Sequence, residues 1–175
     1  MMTTSDPGQL AEQGKQAFAA KEFDQAASFF TQAASAYAAL EDALNAAEMK
    51  NNLSVALLQA DKAKAALDAA AGTDQVFAQA GDVKRQAMAF GNQAAAFEAL
   101  KKLDQALEAY ERSAALFAEA GETEMRSIVL QSAAAIKLRR GKMMDSALSM
   151  IGSVEATKKP NLLQRFLRFL LRIRP

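Results

Sequence analysis

The residues best suited to chemistry stand near the C-terminal end of the 175-residue chain. From Lys158 to Pro175 there are six basic side chains (Lys158, Lys159, Arg165, Arg168, Arg172, Arg174) and no acidic one. Guanidinium groups bind phosphate and carboxylate through charge-assisted hydrogen bonds. Wound at about 100° per residue, Arg165, Arg168 and Arg172 fall in one narrow sector of a helix. Leu162, Leu163, Phe166, Leu167, Phe169, Leu170, Leu171 and Ile173 fill the other. Such a helix over about 161–173 is too short to cross a bilayer. It can lie in an anionic membrane interface with Phe166, Phe169 and Leu170 as its anchor. It can equally cap the apolar end of the preceding helices, or meet an acidic partner.

The remaining residues point away from catalysis. The chain has no Cys and no His, which excludes disulfides, thiolate and imidazole chemistry, and zinc sites built from those ligands. Asp104, Glu108 and Glu111 are neighbours on one helical surface and read as a solvated face. No phosphate-binding glycine loop occurs, and Asn52-Leu53-Ser54 matches a glycosylation acceptor only inside a helix. No catalytic residue, metal or cofactor is expected. The tail holds six of the 21 basic residues, leaving 15 against 20 acidic ones, so the body carries a net charge of −5. A short arginine row on an acidic body argues against nucleic acid. No apolar run long enough for a transmembrane segment or a signal peptide is present, and a cytoplasmic, optionally membrane-associated, protein is expected.

The elements that must hold these residues repeat. Phe23-Asp24-Gln25-Ala26 returns as Leu103-Asp104-Gln105-Ala106, with Ala63-Lys64-Ala65-Ala66 midway and Met144-Asp145-Ser146-Ala147 following after one extra residue. Tyr37, Phe77 and Phe117 keep the same 40-residue beat, as do the breaks Glu41-Asp42, Gly81-Asp82 and Gly121-Glu122. Apolar residues within each unit follow the helical period. The pattern predicts helix pairs over 9–21/24–40, 43–60/63–79, 83–101/104–120 and 123–140/144–156, with Gly72-Thr73 weakening the fourth helix. Met143, Met144 and Met150 sit at core spacing. Phe97 and Tyr110 are expected to be buried in the third unit. The chain thus reads as a polar lead (1–8), a repeat domain (9–157) and a basic amphipathic helix (158–175), all-α throughout. Two-helix units bury their apolar faces only by stacking on neighbours.

These residues resemble the tetratricopeptide repeat family, in its longer-repeat form similar to vesicle-fusion attachment proteins. The resemblance rests on Gly14, Ala17, Ala26, Phe30 and Ala33, and on Ala94, Phe97, Ala106, Tyr110 and Ser113. A weaker copy lies at Ser54, Leu57, Ala66, Ala70 and Thr73, and a fourth runs from Ala134 to Ala147, Ile151 and Val154. It implies a right-handed α-solenoid of about four helix-turn-helix repeats and a non-enzymatic scaffold or adaptor. The family's concave face would carry Lys15, Asn51, Asn52, Val55, Gly91, Asn92, Ala95, Gln131 and Ala135, and would take a protein partner as a peptide or helix. Only Asn52 and Asn92 match the family's carboxylate clamp, and its paired lysines are absent.

Overall fold

The computed structural model describes residues 6–155, with side chains placed for residues 6–144. All elements among them are helices: α1 (Pro7–Ala19), α2 (Phe23–Ala39), α3 (Ala43–Gln59), α4 (Ala63–Ala70), α5 (Thr73–Gln79), α6 (Val83–Ala99), α7 (Leu103–Glu119) and α8 (Thr123–Glu155). Alanine-rich stretches make good helices, and the chain is punctuated by turns at regular distance. Lys21, Glu41, Asp61, Gly81, Lys101 and Gly121 adopt left-handed φ between 58° and 72°, each 20 residues after the last.

All six turns use one hydrogen-bond pattern. The Lys21 amide donates to the Phe18 carbonyl at 3.0 Å and the Glu22 amide to the Ala17 carbonyl at 2.9 Å. The same two bonds recur at each turn as far as Gly121 to Ala118 and Glu122 to Phe117. This double bond is the Schellman motif, which satisfies the carbonyls a helix end leaves free. The residue after each left-handed position then starts the next helix. Asp42 and Asp82 do so with a side-chain cap, accepting from the Asn45 and Arg85 amides at 3.0 and 2.8 Å.

Two features depart from this rhythm. Gly72, with φ 76°, splits the fourth expected helix into α4 and α5. In contrast, the pair expected at 123–140/144–156 is a single helix, α8. The run Lys137-Leu138-Arg139-Arg140 and Lys142-Met143-Met144 consists of strong helix formers, and only Gly141 opposes continuation. Met143 and Met144 are consequently 67% and 63% exposed, not packed as their spacing predicts.

The chain divides into a unit ending at Ala133 and one beginning at Ala134. Within the first, α1 packs on α2, α2 on α3, α3 on α4, α5 on α6 and α6 on α7, and α3 also packs on α6, its counterpart one repeat on. Small residues make the approach close. Gly14, Ala26 and Ala33 are buried around Phe30, and a methyl on Gly14 would lie 2.6 Å from the Phe30 ring. In α4–α5 the equivalent aromatic is Ala70, and Thr73 and Phe77 fill the interior with it. Tyr110 is buried in the third unit, whereas Phe97 is only half-buried, on the wall of a cleft with Phe90 and Arg112.

Candidate interaction surface

The residues expected on the inner face separate into two groups. Asn51 is an interior residue: its Oδ1 accepts from Thr73 Oγ1 at 2.9 Å, and the same hydroxyl lies 2.8 Å from the Ala70 carbonyl. Gln93 Nε2 donates to that carbonyl at 3.2 Å and to Asp74 Oδ1 at 2.9 Å. Asn92 Nδ2 reaches the Asn51 carbonyl at 3.5 Å. The break between α4 and α5 frees backbone carbonyls in a buried place, where an unpaired group costs about 1–3 kcal/mol. Asn51 and Gln93 therefore hold the break to α3 and α6. Asn51, which the repeat resemblance places on the inner face, is thus buried and engaged within the fold. The clue in the sequence was Gly72-Thr73, which sits beside it in space.

Asn52, Val55, Asn92, Gly91 and Ala95 remain half-buried, and Gln131 and Lys15 are exposed. Lys15 pairs with Glu12, one turn back on the same face of α1, at 3.7 Å, and Gln131 Nε2 donates to Ser127 Oγ at 3.3 Å. The half-buried residues lie on α3 and α6, which pack together; the approach of α8 to α6 is marked by Val129, whose Cγ1 would lie 3.8 Å from a methyl on Gly91. The carboxyl-terminal residues Arg165, Phe166, Arg168, Phe169, Leu170 and Arg172 lie outside the described residues, as does the side chain of Met150.

Spacing had not singled out Met88 and Ile128. They stand 40 residues apart at equivalent places on α6 and α8, one helical turn before Gly91-Asn92 and before Gln131, and are 37% and 56% exposed. Their counterpart on α3 is Glu48, which is engaged: its Oε2 meets Arg85 Nη1 at 3.0 Å. Arg85 also binds Asp82 Oδ2 through Nε at 2.6 Å and lies 5.3 Å from the centre of the Phe77 ring. The Arg85 amide holds the Asp82 carboxyl below its ordinary range, against a smaller upward push from burial. Burial pulls the Arg85 guanidinium down, but hydrogen bonds and charge from Asp82 and Glu48 leave it raised. The row thus changes from a closed ion pair on α3 to open apolar side chains on α6 and α8.

No family model and no curated protein matches this chain. The surface is therefore read from its own chemistry. Among the described residues no group of three or more acidic side chains is close enough to hold a metal ion, and no helix is long and apolar enough to cross a membrane. A second depression of about 420 Å³ lies over α3 between α2 and the α4–α5 break, lined by Ala38, Ala46, Ala47, Ala71 and Val76 with Lys50 at its edge.

Proposed function

We propose that the protein is a non-enzymatic, tetratricopeptide-like adaptor, and that a helical or extended segment of a partner protein docks across α3, α6 and the start of α8. The observation that carries this reading is the pair Met88 and Ile128. Both are large apolar side chains left in water at equivalent repeat positions, flanked by the small residues Gly91 and Ala95 and the amides Asn92 and Gln131. Grooves that take amphipathic segments combine apolar anchors with a few polar groups that fix orientation. A right-handed solenoid would turn the same helices toward a concave side. A display library of helical and extended peptides, selected on the intact protein, tests this. Selected binders should lose affinity at least tenfold with Met88→Glu or Ile128→Glu and ignore Leu40→Glu, since Leu40 is more exposed than either but lies at a turn. Binders indifferent to both groove changes refute the assignment.

A second reading, recruitment to an anionic membrane surface, rests on the arginine sector at Arg165, Arg168 and Arg172 opposite Phe166, Phe169 and Leu170. Each basic residue near an anionic bilayer contributes about 1 kcal/mol, screened by salt. Co-sedimentation with phosphatidylserine vesicles should fall as salt rises, and the salt dependence should vanish when the three arginines become Gln. A protein that ignores such vesicles at low salt leaves the adaptor reading alone.

A further inference from the structure

We infer that Gly141 is a hinge, and that α8 has a second conformation in which its C-terminal half turns back on the preceding residues as the next antiparallel helix. Left-handed turn residues occur at 21, 41, 61, 81, 101 and 121, so the next term in the series is position 141, and it is a glycine. In the straight helix this glycine has no packing reason to be there. A methyl on it would meet nothing within 4 Å, and glycine is among the poorest residues for a helix interior. As the left-handed residue of a turn it is the best choice available.

The flanking side chains follow the same logic. Across the turns at Lys21, Asp61 and Lys101, the residues three before the turn (Phe18, Leu58, Glu98) and two after it (Phe23, Ala63, Leu103) are all half-buried. At the first of them the rings of Phe18 and Phe23 meet edge-on at 5.4 Å. The matching residues around Gly141 are Leu138 and Met143, with Met144 next. They are as apolar as Phe18 and Phe23, yet they are 62%, 67% and 63% exposed. A straight α8 leaves in water the pair that elsewhere closes the turn. The helix is also 33 residues long where no other exceeds 17. That length is two helices and the turn between them. The Met144-Asp145-Ser146-Ala147 signature starts one residue after Met143, where the second of these would begin. Folding back at Gly141 covers Leu138 and Met143 with each other. Straightening exposes them as an apolar strip.

The absence of native cysteine allows clean double labelling. Nitroxides on Ala135→Cys and Ser153→Cys are 18 residues apart, which is about 27 Å along a straight helix. They come within roughly 12 Å when two antiparallel helices pack at 8–10 Å. Electron paramagnetic resonance on the full chain should show a component under about 20 Å, and Gly141→Ala, which disfavours the left-handed turn but not the helix, should remove it. Circular dichroism verifies that this variant keeps its helix content. A single component near 27 Å in the wild-type chain, unchanged by Gly141→Ala, overturns the hinge. A short component that arises only on mixing singly labelled chains also overturns it, since the covering segment then comes from a second copy.

Discussion

Lys101 is a lysine in a conformation made for glycine, and replacing it should stabilise the protein. Its φ is 62°, its side chain is exposed, and its amide closes the turn onto Glu98 at 2.9 Å. A left-handed L-residue costs about 1–2 kcal/mol because Cβ crowds the following carbonyl. Lys101→Gly removes that strain. Against it stands the greater freedom of glycine in the unfolded chain, about 0.5–1 kcal/mol. The difference is a gain of about 0.5–1 kcal/mol. Gly121→Ala is the mirror experiment: it adds the same strain at an equivalent turn with φ 72° and open space around the new methyl, so it should cost about 1 kcal/mol through backbone conformation alone. Urea unfolding followed by far-ultraviolet circular dichroism measures both. The midpoints should move in opposite directions with unchanged slopes. If Lys101→Gly is destabilising, or Gly121→Ala is neutral, the 20-residue series of left-handed turns is not what spaces the helices, and the argument extended to Gly141 loses its base.

Other expectations follow from the buried and capping groups. Asp82→Ala should cost about 1–2 kcal/mol at pH 7, because the N-cap at Arg85 is lost. The Asp82 carboxyl is lowered on folding, so its contribution is complete above its unfolded value near 3.9 and fades as pH falls through the folded one; wild type and variant should approach each other in thermal unfolding as the pH falls below the unfolded value. Ser54 is fully buried and its hydroxyl has no hydrogen-bond partner among the described residues, while the equivalent position one repeat later is Ala94; Ser54→Ala should therefore raise stability by about 1 kcal/mol, and a loss would reveal a bond to water. Tyr110→Ala should cost about 3–5 kcal/mol, since the ring is buried and its hydroxyl donates to Glu98 at 3.1 Å. Phe97→Ala should cost less, because the ring is only partly buried; equal losses in denaturant would contradict its place on the cleft wall.

The helices were legible because two independent signals agreed. Apolar spacing located the helix bodies, and Gly81-Asp82 and Gly121-Glu122 located ends by turn and cap chemistry. Four of the six turns have no glycine. Lys21, Glu41, Asp61 and Lys101 are ordinary surface residues held in the left-handed region by the packing of helices on either side. Local propensity cannot reveal a strain that tertiary contacts maintain. The interior was legible for a related reason: alanine, glycine and serine at the repeat positions permit close helix approach, and Gly14, Ala26, Ala66, Ala94, Ala106 and Ser113 are all buried.

The surface was harder to read, because side chains that share a helix face need not share an environment. Asn51 and Asn52 are adjacent in sequence, yet Asn51 turns into the α4–α5 break and Asn52 remains half-buried beside Val55. What separates them is the buried Thr73 hydroxyl, which starts α5 just after the break at Gly72, 21 residues away. Met88 and Ile128 carry the opposite lesson. Helical period alone counts every large apolar side chain as core, and these two stand out only when their neighbours are known to leave them in water. Glu48 then supplies the contrast at the equivalent position of α3, where Arg85 reaches across from α6 and closes the row with an ion pair. The docking surface proposed above would therefore be directional. The Glu48–Arg85 ion pair closes its α3 end, and Met88 and Ile128 leave its α6 and α8 end apolar, so a docked helix should place its largest apolar residues over Met88 and Ile128 and a polar residue over Glu48 and Arg85.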